Sequence, residues 1–190
     1  LDELAENIRE YGVLQPLLVR PSATGEGYVI IAGTRRERAA RKADVDEVPV
    51  RILDVDEDKA FEISLVENVH RGDLSAYETA KALTRLLMKY PSQEAVAKRL
   101  GVKRSWVADH VRILELDRPG SIVERSTMEK LTAFQARAIL EAPPEKRQEI
   151  IADIEKRLES DEKLPSAREI MREVKPPSEP EPTEAPTEIP

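Results

Sequence analysis

The sequence predicts an α+β domain followed by an all-α domain that carries a helix-turn-helix. Three observations lead there. Short apolar runs bracketed by glycine and proline alternate with helical periods only as far as residue 73. From Leu74 onward no stretch reads as a strand. Between residues 92 and 114 two short helical patterns flank Gly101, in the manner of a helix-turn-helix.

The elements follow in order. Residues 1–11 form an amphipathic helix with Leu1, Leu4, Ile8 and Tyr11 on one face, and Gly12 ends it. Residues 13–21 read as a strand bounded by Pro16 and Pro21. Gly25 and Gly27 turn the chain into a second strand at 28–31. A helix at 34–43 follows. Residues 47–53 give a third strand, with Pro49 marking an edge. A helix at 56–70 starts on Asp54 or Asp56. In the second half, Ser75 caps a helix that runs to Tyr90, where Pro91 breaks it. Further helices are expected at 92–100, 104–116, 118–125, 132–141, 144–159 and 166–174. The expected domains are therefore 1–73 and 74–174. The Pro/Glu-rich stretch 175–190 is expected to be a disordered linker or tail, because it has too little apolar surface to offset ordering entropy.

Composition removes several function classes. There is no cysteine, which excludes disulfides, thiolate catalysis and zinc–thiolate sites. The two histidines, His70 and His110, are too few for a histidine-based metal centre. No apolar run approaches a membrane span, so a cytoplasmic protein is expected. The net charge of −7 argues against a generally basic nucleic-acid coat. It leaves room for a local patch, and residues 92–114 carry Lys98, Arg99, Lys103, Arg104 and Arg112 against only Glu94 and Asp109.

Two stretches point to an anion. In Ile31-Ala32-Gly33-Thr34-Arg35-Arg36-Glu37 a strand runs through glycine into a helix. Backbone N–H groups at such a helix start can face a phosphate. Arg35 and Arg36 lie in the first turn, where the helix dipole disfavours cations unless an anion sits beside them. Thr34 and Glu37 also have the spacing of a capping box, so a plain capped helix is the other reading. In Glu67-Asn68-Val69-His70-Arg71, Glu67 and Asn68 offer oxygen ligands, and a phosphate-bound magnesium takes only one or two from the protein. Arg71 lies within reach of the same phosphates. The other reading there is an ordinary helix end, with Asn68 as its cap and Arg71 answering the dipole.

The helix-turn-helix supplies a second chemistry. Ala97 lets the helices approach, Gly101 turns the chain, and Val96, Leu100, Val102 and Val107 face inward. The second helix turns Lys103, Arg104, Ser105, Ala108, Asp109 and Arg112 outward, as a recognition helix does in a major groove. Arg104 and Arg112 suit guanine edges or phosphates, and Lys103 and Ser105 suit phosphates. Trp106 is expected at the motif's edge.

The blocks GVLQPLLVRP (12–21), AGTRRERAA (32–40) and ENVHRGDLSAYETA (67–80), with the helix-turn-helix after them, resemble the ParB/Noc/Spo0J-like partition proteins. The stretch LTAFQARAIL (131–140) resembles that family's next helix. The resemblance implies an N-terminal ParB/sulfiredoxin-like α+β domain and a CTP- and magnesium-switched homodimeric clamp. The clamp reads a centromere-like site on double-stranded DNA, in the nucleoid-associated cytoplasm. It implies slow CTP hydrolysis as the switch and a ParA-type ATPase partner bound upstream. By the resemblance, Gly33, Thr34, Arg35, Arg36, Asn68 and Arg71 hold the nucleotide, and Glu67 and Asn68 the metal. Gln15 assists hydrolysis, and the backbone of its block helps read the base. DNA falls to Lys103, Arg104, Ser105, Asp109 and Arg112.

The chain departs from the family pattern at Thr34, where Glu is common, at His70, where Gln is usual, and at His110, where Leu is common. By the same resemblance it is expected to be a fragment, without the strand before Leu1, the ParA-binding segment and the C-terminal dimerisation domain. Two rival functions are an adaptor that docks on another DNA-bound segregation protein through its helical half, and a ParB-like free-serine kinase. Sulfiredoxin chemistry needs a cysteine and is excluded.

Overall fold

The computed structural model describes residues 1–117 and 123–174. The chain divides into two compact units, with the boundary between Asp73 and Leu74.

The first unit is α+β. Helix α1 (Asp2–Tyr11) buries Ala5 and Ile8 and stops at Gly12, whose φ of 71° suits glycine and whose N–H donates to Ile8 O. Strand β1 (Leu17–Pro21) is central in a three-stranded sheet. It pairs antiparallel with β2 (Tyr28–Ala32) and parallel with β3 (Val50–Ile52). Between them helix α2 (Thr34–Lys42) packs on α1 through Ala39, Ala40 and Ala43. Helix α3 (Glu57–Arg71) begins where the Asp56 carboxylate accepts from Lys59 N–H at 2.7 Å. It ends at Gly72, in the left-handed conformation.

β1 is shorter than the sequence suggests. Residues 13–16 form a loop, not a strand. Pro16 has no N–H to give a ladder, and the first ladder-side donor, Leu17 N–H, goes to Pro49 O at 3.0 Å. β3 lies at a sheet edge, as Pro49 suggests, but only three residues pair there. A bulge between Leu18 and Val19 shifts the register from Leu18↔Ala32 to Val19↔Ile30. It bends the end of β2 immediately before Gly33, a common use of bulges beside functional sites.

The second unit is helical throughout its described residues. Helix α4 (Ala76–Lys89) starts with a full capping box between Ser75 and Glu78. Helices α5 (Gln93–Leu100) and α6 (Arg104–Arg112) follow, with a 3₁₀ turn at Ile113–Glu115. Then come α7 (Arg125–Lys130), α8 (Ala133–Glu141), α9 (Pro144–Glu159) and α10 (Ala167–Val174). Their core holds Tyr77, Ile113, Met128, Ile139, Ile154 and Ile170. The helix expected at 118–125 is corrected at its end: Val123 and Glu124 are not helical, and Arg125 opens α7. Residues 118–122 and the expected tail 175–190 lie outside the described residues.

Candidate functional site

In the first unit, β2 runs out at Ala32 and Gly33 becomes the N-cap of α2, with φ 103° and ψ 16°. An L side chain seldom adopts that conformation. The fit would also be tight: a Cβ on Gly33 would lie 3.0 Å from Leu17 Cδ2 and 3.2 Å from Arg36 Nη2. The capping box expected from Thr34 and Glu37 does not form. The cap falls one residue early, on Gly33, which has no side chain to accept an N–H. Thr34 is the first helical residue, and Glu37 pairs instead with Arg41 one turn on. The helix start is therefore held by backbone shape alone.

The two arginines separate. Arg35 is exposed. Arg36 is half-buried, and its Nη1 donates to Gln15 O and Pro16 O, both at 2.6 Å. The 12–16 loop is thereby tied to α2 by charge-assisted hydrogen bonds. The Gln15 side chain is exposed. Among the described residues, the N–H groups of Val13, Leu14 and Gln15 donate to nothing. Leu4, Asn7, Ile8, Tyr11, residues 12–15 and Arg36 enclose a cavity of about 510 Å³. Its walls are largely apolar with a few polar groups, the usual make-up of a small-molecule site.

On the last turns of α3, Arg71 Nη1 pairs with Glu67 at 2.9 Å and its Nε with Asp73 at 3.0 Å. These carboxylates hold the guanidinium pKa above its ordinary value, Glu67 most of all. Asn68 is not the cap. Its amide donates to Ser64 Oγ at 3.3 Å, while its C=O accepts from Asp73 N–H across the Gly72 turn. Among the described residues no hydrogen bond or ion pair joins the Arg35–Arg36 group to Glu67, Asn68 or Arg71. Nor do three His, Asp or Glu side chains gather as a metal cluster there.

In the second unit, Val96, Ala97, Leu100 and Val107 are buried between α5 and α6. Gly101 turns the chain in the left-handed region, at φ 69°. Helix α6 packs on α4, α5 and α8. Lys103 is its N-cap, and Lys103, Arg104 and Ser105 are exposed at the helix start. Asp109 does not stand free: it is half-buried and pairs with Arg137 of α8 at 3.4 Å. Arg112 lies 3.9 Å from Glu115.

His110 stacks on Trp106 with ring centroids 3.9 Å apart, and its Nδ1 lies 2.8 Å from Trp106 O. A carbonyl only accepts, so Nδ1 carries the proton. Burial lowers the His110 pKa, against smaller opposing effects from that hydrogen bond and from Asp109. A neutral ring thus completes the packing of α6 beside Trp106.

The first unit thus sets a strand–glycine–helix junction beside a cavity, and the second carries a helix-turn-helix. The ParB N-terminal domain matches residues 1–69, and the ParB HTH domain matches residues 72–169. The chain belongs to the ParB family.

Among its relatives, the chromosome-partitioning protein Spo0J of Thermus thermophilus is 47% identical over 147 residues, 77% of this chain and 53% of the relative. The chromosome-partitioning protein ParB of Myxococcus xanthus is 45% identical over 146 residues, 75% of this chain and 47% of the relative. The chain spans about half the length of the curated relatives it matches. A crystal structure of C-terminally truncated ParB from Caulobacter crescentus, complexed to the centromeric parS site, overlaps 92% of this chain and 88% of its own. Its TM-score is 0.58 at 34% identity.

Proposed function

We propose that this chain is the nucleotide- and DNA-binding part of a chromosome partition protein. Residues 74–174 read a parS-like centromere site through α6, and residues 1–73 bind CTP with magnesium as the switch of a homodimeric clamp. The observation that carries this reading is the overlap, across nearly the whole chain, with a relative bound to parS.

The first unit fits the nucleotide. Gly33, an N-cap without a side chain, and exposed Arg35 beside it suit a phosphate at the start of α2. The unspent N–H groups of residues 13–15 suit the polar edge of a base. Glu67 and Asn68 supply oxygens for a metal that takes its remaining ligands from phosphates and water. Bound magnesium would neutralise phosphate charge. Arg71 would leave Glu67 and Asp73 for the phosphates, and Gln15, on the loop pinned by Arg36, would orient water for slow hydrolysis. Thr34 would lie along the same phosphates. On α6, Arg104 and Arg112 are the candidate base readers, and Lys103 and Ser105 the phosphate contacts. Asp109, through Arg137, keeps the reading face in place. The soluble clamp would work in the nucleoid-associated cytoplasm, with a ParA-type ATPase as its partner. No described helix is long and apolar enough to cross a membrane.

Calorimetric titration with CTP, ATP and GTP, each with magnesium, and with parS or scrambled duplex, tests the reading. The expected result is tighter binding of parS than of the scrambled duplex, and heat with CTP alone among the nucleotides. Equal affinity for both duplexes would overturn the DNA half. No heat with any nucleotide would overturn the other half.

A further inference from the structure

Helices α8 and α10 lie side by side, and a groove of about 530 Å³ opens between them. The Gln135 amide donates to Pro165 O at 2.7 Å and ties their starts together. Phe134, Ala138, Ala167 and Met171 give the groove an apolar floor. Phe134 is 65% exposed, so its ring is left uncovered. The rim is cationic: Arg137, Arg168 and Arg172 line it against one acid, Glu141. Arg137 is engaged by Glu141 at 2.8 Å and by Asp109 of α6 at 3.4 Å. Arg168 and Arg172 are one helical turn apart and exposed, and they join no ion pair among the described residues.

Two open cations beside an uncovered aromatic ring call for an occupant that is both acidic and apolar. A DNA backbone would answer the arginines, yet it has no apolar side chain to fill the floor. An acidic proline-rich segment answers both, because proline docks in aromatic-lined grooves and arginine holds carboxylates. The chain carries such a segment itself. In residues 175–190, Glu179, Glu181, Glu184 and Glu188 are interspersed with Pro180, Pro182 and Pro186, against Lys175 alone. The segment follows Val174, the last residue of α10, and the final turns of that helix bear Met171 and Arg172 of the groove. Covalent attachment raises the local concentration of such a segment to the order of millimolar.

We propose that the α8–α10 groove is a docking site for residues 175–190 of the same chain, with proline on Phe134 and glutamate on Arg168 and Arg172. The inference stands independently of the nucleotide and DNA readings above. The chain has no cysteine, so Ala185→Cys gives a single attachment point for a nitroxide. The test is NMR on the full chain carrying that label, reading the broadening of backbone amides. Broadening should concentrate on Phe134, Ala138, Ala167 and Met171 and spare α5. It should fall at least two-fold in about 0.5 M salt, which screens exposed charges. The same fall is expected when Glu179, Glu181, Glu184 and Glu188 are all changed to Gln, in Phe134→Ala and in Arg168→Ala. Circular dichroism melting should show the wild-type transition for Phe134→Ala and Arg168→Ala, because both side chains are exposed.

No broadening, or broadening spread evenly over α5 and α8, would overturn the proposal. So would broadening that survives the four glutamate substitutions or Phe134→Ala. An isotope-labelled chain mixed with an unlabelled nitroxide-bearing chain should show none; broadening there would assign the groove to a second copy and overturn docking within one chain. Fluorescence anisotropy with scrambled duplex separates the remaining occupant. If Arg168→Ala weakens the duplex about ten-fold and leaves the broadening unchanged, the groove is a DNA contact and the proposal falls.

Discussion

Arg36 of α2 is folded into the protein: its guanidinium holds the Gln15 and Pro16 carbonyls. Arg71 of α3 is likewise engaged, by Glu67 and Asp73. At the start of α6, by contrast, Lys103 and Arg104 are exposed and join no ion pair among the described residues. Both candidate sites are cationic, but Arg36 and Arg71 have committed their charge, while Lys103 and Arg104 have left theirs open. A committed cation positions backbone and gives a site its shape, and a ligand that wants it must displace the present partner. An open cation contributes mainly through release of counterions from a polyanion, so its effect depends steeply on salt. The first arrangement suits a small ligand bound in one pose. The second suits a long, uniformly charged one.

The contrast breaks most severely at Gly33. Gly33→Ala places a methyl group against Leu17 and Arg36 at a positive φ. The expected cost is about 1–3 kcal/mol of stability, together with release of the 12–16 loop. Urea unfolding should show the loss, and titration should show CTP binding weakened at least about ten-fold. Next in size is the open site. Arg104→Ala should cost about ten- to a hundred-fold in parS affinity, with less loss on scrambled duplex. Lys103→Ala should weaken both duplexes alike and reduce the slope of log K against log salt by about one, measured by fluorescence anisotropy over a salt series. The smallest effect sharpens the comparison. Asp73→Asn removes one of two partners competing for Arg71, and CTP–magnesium affinity should rise about two-fold. A fall instead would place Asp73 among the ligand's own contacts.

Much of this was legible because local chemistry and tertiary packing agree. Asp56, Ser75, Ser92 and Thr132 each accept an N–H at a helix start, as their positions before apolar periods suggest. Pro144 opens α9 at the residue the sequence indicates. The failures have particular causes. Residues 13–16 look like strand because Val13 and Leu14 lead into the apolar run 17–19, but no neighbouring strand pairs with them. The Thr34–Glu37 spacing is right for a cap, yet the cap falls on Gly33, whose positive φ of 103° turns the chain into α2 one residue early. Helix α7 passes unseen because RSTMEK is mostly polar, and only Thr127 and Met128 are buried. In the candidate site, the arginine and acid positions can be read from the motifs. That Arg36 pins a loop, that Asp109 answers Arg137, and that Tyr11 faces a cavity are facts of packing. No spacing rule carries them.

Residues 68–78 have a further consequence. α3 is sealed at Gly72, where Asp73 N–H closes on Asn68 O, and α4 is sealed at Ser75 by its reciprocal contacts with Glu78. Four residues, 72–75, thus hold two finished helix ends. Helical order is cooperative along a chain, and a completed cap is where it stops. The α1–α2 cluster closes entirely before this point and the large helical core entirely after it. The short joint therefore acts as a firebreak. Unravelling that begins on one side has no continuous helix to travel along.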